Sequence, residues 1–209
     1  MTNPNQKKIL ILFAHPAFEK SRINKQLVNA VKELKGVYFH DLYEAYPDFL
    51  IDVKREQELL AGHDFIIFHH PFFWYSTPAI LKEWQDLVLE HGWAYGSKGN
   101  ALRGKSLMNV ITTGGPEIAY HPDGYNHYTV RQLLAPLQQT ASLCKMTFLP
   151  PFLVHGTHSI SPEEIARYET DYRDLLIDLM ENRVDLENAL KLNRINDPDA
   201  KVIHNLEIT

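Results

Sequence analysis

Five short apolar runs, each trailed by residues at helical spacing, leave few folds open to this chain. "KKILILFA" (7–14), "VYFHDL" (37–42), "DFIIFH" (64–69), "KSLMNVITT" (105–113) and "MTFLPPFLVHG" (146–156) read as strands. The first and third are apolar on consecutive residues, the pattern of strands buried on both faces. Between the runs lie helices. Ser21 can cap one in which Ile23, Leu27, Val31 and Leu34 recur until Gly36 stops it. A short helix is expected near "DVKREQELLAG". Beyond Pro78, Ile80, Leu81, Trp84, Leu87 and Val88 fall on one face, and further helix is predicted over 129–143. "SPEE" opens the last helix with a capping-box pattern, Ser161 to Glu164, and Ile165, Tyr168, Tyr172, Leu175 and Leu179 supply its stripe.

This alternation predicts an α/β protein with a doubly wound, five-stranded parallel sheet and helices on both faces. One domain covers residues 1–182, and the polar segment 183–209 reads as a tail with about one helical turn, not a separate domain. Ligands of such sheets bind beyond the carboxyl ends of the strands, where the strand order reverses. Site residues are therefore expected in the loops after strands one, three and four: "HPAFEKSRIN", "HPFFWYSTP" and "TTGGPEIAYHPDGYNH".

Composition narrows the function. A net charge of −5 argues against a nucleic-acid partner, which would need a basic face. No run approaches a membrane span, and "MTNPNQKK" lacks the apolar segment of an export signal. The single cysteine, Cys144, suits a reducing compartment, so a cytoplasmic protein is expected. "GNALRGKS" (99–106) matches the phosphate-loop pattern G-x-x-x-x-G-K-[ST]. That pattern works only with a strand before it and a helix opening at the Lys-Ser, and here the order is reversed, so the match is read as coincidence. No G-x-S-x-G elbow, H-E-x-x-H or G-x-G-x-x-G occurs, and His69 and His70 should point to opposite faces of a strand; no metal site is expected.

Each loop has two readings. Ser21 and Arg22, with the first N–H groups of their helix, suit an anion, although taken alone a helix cap and solvated charges are the favoured reading. His15 at the end of strand one is either a packed core histidine or a site residue. The aromatics Phe72, Phe73, Trp74 and Tyr75, fenced by Pro71 and Pro78, suit a planar heterocycle, and some of them must instead fill core or a subunit interface. Gly114 and Gly115 let backbone approach a ligand, and Thr113 could donate to a ring edge. Tyr120 and His127 could stabilise negative charge and move a proton, or stand as surface residues on a mobile loop.

The stretches "ILILFAHP…SRIN", "YPDF…D", "HPFFWYSTPAILKEWQDLVLEHGWAYG", "ALRGK", "TTGG", "PLQQTA" and "FLPPFLVHG", spanning about residues 8 to 160, resemble the flavodoxin-like NAD(P)H:quinone oxidoreductases. Within these, the chain is most similar to the bacterial ancillary proteins of glutathione-regulated potassium-efflux systems. The resemblance implies a bound flavin, FMN or FAD, with NAD(P)H as co-substrate, a quinone or other small acceptor, and two-electron transfer with ping-pong kinetics. It also implies a homodimer with sites at the subunit interface. The alternative it carries is a regulatory subunit of a potassium-efflux transporter, held peripherally at the inner membrane face.

By motif, His15 and Ser21, Arg22, Ile23 and Asn24 would hold the flavin phosphate and ribityl chain. Pro71, Phe72, Phe73, Trp74 and Tyr75 would line the ring, while Thr112, Thr113, Gly114 and Gly115 would meet its pyrimidine edge. Tyr120 and His127 match the Tyr and His that accompany hydride transfer. Their interval is one residue longer than in the mammalian enzymes. Those enzymes bind FAD and carry a longer C-terminal region, and the shorter tail here favours FMN.

Overall fold

A computed structural model of the chain describes residues 6–198. All strands run parallel. β1 (Ile9–Phe13) lies inside the sheet, with β2 (Val37–Asp41) on one side and β3 (Phe65–Pro71) on the other, followed outward by β4 (Ser106–Thr112). The fifth position is shared by β5 (Thr147–Phe148) and β6 (Phe152–Val154), both paired to β4. A single strand over 146–156 was the expectation, and the structure divides it. Pro150 and Pro151 have no N–H to give the ladder, so pairing lapses between the two pieces.

Alternate residues of β1 sort the core. Ile9, Ile11 and Phe13 face α1 (Arg22–Val31) and α7 (Pro162–Met180), which pack together. Leu10, Leu12 and Ala14 face the opposite layer: α2 (Leu42–Ala45), α3 (Val53–Ala61), α4 (Ala79–Val88), α5 (Val130–Leu133) and α6 (Ala135–Leu143). Helices thus cover both faces. The chain leaves β1 toward β2 and then crosses to β3 on its far side, so the order reverses between β1 and β3.

Local chemistry sets the boundaries. Ser21 Oγ accepts from Asn24 N, and Ser161 and Glu164 form the reciprocal capping box. Gly36 turns the chain at φ +98. Helix over 129–143 is interrupted at Leu134, because Pro136 in the first turn of α6 has no N–H for the preceding turn. On α4, Leu87 faces solvent and Gln85 is buried instead, its Nε2 donating to Leu81 O at 2.9 Å. The loop "GNALRGKS" lies at the amino end of β4, where Lys105 Nζ donates to the carbonyls of His63 (2.6 Å) and Ala61 (3.0 Å). Its lysine therefore ties loops together at the rim opposite the candidate site.

Residues 183–198 pack against the body. Val184, Ala189 and Ile195 join the core, with one helical turn, α8 (Leu186–Ala189), between them. The rest of the expected tail, 199–209, and the first five residues lie outside the described residues. Among the described residues no helix is long and apolar enough to cross a membrane.

Candidate functional site

At the β1/β3 reversal a cavity of about 440 Å³ opens at the carboxyl rim. It is lined by His15, Lys20 and Ser21 from the loop after β1, by Arg22, Ile23 and Asn24 from the first turn of α1, and by Pro71, Phe72 and Phe73 at the end of β3 and just beyond it. Thr112 and Gly114 come from the end of β4, and Thr157 and His158 from the loop after β6.

Its floor is a buried polar chain. Asn24 is buried, and its Nδ2 donates to Ser21 Oγ (3.0 Å) and Thr112 Oγ1 (3.1 Å). Its Oδ1 therefore faces His69 Nε2, 3.0 Å away on β3, which must carry the ring hydrogen and donate it. His69 Nδ1 is left bare, with no partner among the described residues. Burial, with the neighbouring His70 and His15, holds the His69 pKa down at about 3, so the ring stays neutral. One consequence is chemical. The Ser21 and Thr112 oxygens accept from Asn24, which leaves the O–H hydrogen of each to donate into the cavity.

His15 adds a donor by the same logic. Its Nδ1 accepts from Ala17 N at 3.1 Å, so the ring hydrogen sits on Nε2, and burial lowers its pKa despite nearby Glu19. Arg22 is anchored through a 2.8 Å bond to Ile160 O. Hydroxyls, a neutral imidazole N–H, Lys20, Arg22 and the N-terminus of α1 therefore face one end of the cavity, a setting for an anion. The rings of Phe72 and Phe73, with Pro71, also wall the cavity, Phe73 standing edge-on to the His15 ring at 6.1 Å.

The aromatic loop is less uniform than its sequence. Phe72 is buried, whereas Trp74 is 93% exposed. Trp74 and Tyr75 sit at φ +50 and +62, the central residues of a tight turn closed by Ser76 N donating to Phe73 O at 3.0 Å. Such positions favour Asn-Gly, and bulky residues there cost about 1–3 kcal/mol each. The strain projects Trp74 outward, and Tyr75 Oη donates to Asn126 Oδ1 at 3.1 Å, linking this loop to the one after β4.

Not every expected residue lines the cavity. The Thr113 hydroxyl donates to Gly115 O (2.8 Å) and its N–H to Val154 O (2.9 Å), so it offers no donor to a ring edge; Thr112 is the threonine that faces inward. His155 Nδ1, 3.0 Å from Thr113 Oγ1, must then donate to it, and burial keeps that histidine neutral with a pKa of about 4. Gly115 packs under Tyr120, whose ring edge would stand 3.3 Å from a Cβ placed there. Tyr120 is half-buried, its ring centroid 6.3 Å from that of Phe72, and burial raises its pKa. It bounds a different, adjoining cavity. His127 is exposed at φ +60 and lines neither cavity.

Sequence reasoning missed Thr157 and His158. The rule that selected the other loops also selects "VHGTHSI", which leaves the last strand at the same rim. Gly156 N donates to Gly115 O and Thr157 N to Thr113 O, both at 3.0 Å, and this pairing carries His158 over Gly114. A Cβ on Gly114 would lie 2.8 Å from His158 Nε2.

An open sheet in the order β2-β1-β3-β4-β5, with a cavity at its reversal lined by anion-directed donors and aromatic rings, defines a flavodoxin-like α/β protein. The chain belongs to the flavodoxin-like fold family, whose model matches residues 7–176. It is 47% identical over 169 residues to the glutathione-regulated potassium-efflux system ancillary protein KefG of Pectobacterium carotovorum, covering 81% of this chain and 92% of that one. Among solved structures, general stress protein 14 of Treponema denticola in complex with FMN is 37% identical with a TM-score of 0.78, over 82% of this chain and 99% of that chain. An NADPH-quinone reductase from P. pentosaceus is 32% identical with a TM-score of 0.74, over 80% and 96%.

Proposed function

We propose that this chain is an FMN-dependent NAD(P)H:quinone oxidoreductase. The observation that carries the proposal is the convergence of an anion-directed donor set and an aromatic wall in one cavity at the sheet reversal. The residues fit FMN. Ser21, Arg22, Lys20 and His15 Nε2 suit the phosphate and ribityl hydroxyls, Phe72 and Phe73 suit the ring, and Gly114, without a Cβ, lets His158 close over it at the cavity wall. FMN held by these residues would supply two-electron redox chemistry between NAD(P)H and a quinone, and alternating use of one place by the two substrates would give ping-pong kinetics.

The chain's own residues bind and orient. Thr112 and Ser21 direct their hydroxyl hydrogens into the cavity, and the fixed tautomer of His69 holds Asn24 so that they do. Tyr120, whose pKa burial raises further above neutrality, keeps an O–H donor beside the TTGG loop. His127 enters this chemistry only if its loop moves. The protruding Trp74 supports a homodimer in which a second copy covers the ring face, and size measurement in solution tests it.

Absorbance of the purified protein after incubation with FMN is the decisive experiment. A flavin spectrum retained through desalting, with NADPH-dependent reduction of a benzoquinone, is the expected result. A protein that retains neither FMN nor FAD refutes the proposal. The likeness to KefG supports a second role, docking on a potassium-efflux transporter, for which co-purification with such a transporter is the test.

A further inference from the structure

Behind Tyr120 lies a cavity of about 680 Å³ for which the proposed redox chemistry has no use. Its size is that of a small-molecule site. Residues after β4, the start of α5, β6 and the C-terminal segment enclose it. Val130, Leu153 and the Tyr120 ring give it an apolar wall, and Ile118 stands 78% exposed at its rim.

Its charges are unevenly matched. Arg194 Nη1 is ion-paired with Glu117 at 2.8 Å. Arg131 is half-buried and donates to the carbonyls of Leu192 and Leu190, and among the described residues it pairs with no carboxylate. Burial lowers its pKa. Among the described residues, a guanidinium partly withdrawn from water beside an apolar wall thus stands without a carboxylate partner. A polyanion is disfavoured, because Glu117, Asp123 and Asp197 also line the space.

We propose that this cavity binds a planar aromatic monocarboxylate of one or two rings, its carboxylate on Arg131 and its ring against Tyr120, Leu153 and Ile118. The planar body follows from the tyrosine ring and branched aliphatic groups that face it. The single charge follows from one unmatched guanidinium.

The probe is 2-naphthoate, compared with neutral 2-naphthamide. Each is titrated into the full chain with and without excess FMN and followed by the methyl NMR signals of Ile118, Val130 and Leu153. The expected result is saturable one-site binding of naphthoate, at least ten-fold tighter than the amide and unaffected by FMN. Arg131→Gln should erase the preference for the acid. Because Arg131 also holds the C-terminal segment, Ile118→Glu is the companion: an exposed position that places a carboxylate at the rim and should weaken naphthoate at least ten-fold. Equal affinity for acid and amide, displacement of naphthoate by FMN, or undiminished binding to Ile118→Glu each overturns the proposal.

Discussion

Replacing Asn24 separates what it does for the fold from what it does for the ligand. Asn24→Ala removes side-chain bonds to His69 (3.0 Å), Ser21 (3.0 Å) and Thr112 (3.1 Å). The two hydroxyls can rotate to new partners, at a loss of about 0.5–1.5 kcal/mol each. His69 is fully buried and cannot turn to water, so its orphaned N–H adds about 1–3 kcal/mol. The total, about 2–6 kcal/mol, should lower the urea midpoint by roughly 1–3 M at a slope of ~2 kcal/mol/M. Asn24→Asp behaves differently. Its carboxylate still accepts from His69 and also from both hydroxyls, so less stability is lost. Those hydroxyl hydrogens, however, then turn inward, and a negative charge stands beside the anion end. The expected order of stability is wild type, Asp, Ala; the expected order of FMN affinity is wild type, Ala, Asp, with Asp at least ten-fold below wild type. Isothermal titration and urea melts on the same preparations give both series. FMN binding by Asn24→Asp at wild-type affinity, or ¹⁵N shifts placing the His69 hydrogen on Nδ1, would refute the reasoning.

Acid should destabilise the fold well before its carboxylates titrate. His69 and His155 are neutral when folded, with pKa values of about 3 and about 4, and protonate near 6.5 when unfolded. Below 6.5 the unfolded chain therefore binds more protons, and stability falls with pH, by about 2 kcal/mol per histidine at pH 5; a urea midpoint unchanged between pH 8 and pH 5 contradicts this. Glu56 is completely buried, its carboxylate accepting from His40 Nε2 (2.8 Å), Tyr46 Oη (2.5 Å) and Trp84 Nε1 (2.8 Å). Burial by itself would raise its pKa, but these bonds outweigh it and hold the carboxyl below its usual value. Glu56→Gln turns an amide donor toward one of the three, and should cost about 2–4 kcal/mol in urea melts. Asn196→Ala removes the amide that accepts from Leu153 N (3.0 Å) and donates to Leu153 O (2.9 Å), so hydrogen exchange at Leu153 should accelerate while Phe152 and Val154 stay protected by β4.

Caps, stops and the rim of the sheet could be read from residues close together in the chain. Ser21, Gly36 and Ser161 act within a few positions of themselves, and strand-helix alternation forces the loops that matter to one edge. What escaped reading depends on register or on distant partners. Which of Thr112 and Thr113 faces the cavity follows from strand parity, which the "TTGG" string does not disclose. His69 and Asn24 are 45 residues apart, and Glu56 meets a strand, a loop and a helix at once. Leu87 and Gln85 exchange places because the position of α4 on the sheet, not the composition of its face, decides which residue is covered. The segment after 183 looked polar because Val184, Ala189 and Ile195 recur at no regular spacing, yet each finds the core.

The side-chain amide of Asn196 occupies both backbone groups of Leu153 that a neighbouring strand would use. At β6 the edge of the sheet consequently offers no template on which another polypeptide could continue the ladder. Two copies cannot join there into one extended sheet, and a foreign peptide cannot lodge there as an added strand. Assembly must instead begin at β2, on helical surfaces, or at the protruding loops, which leaves the turn bearing Trp74 free to meet whatever comes to it.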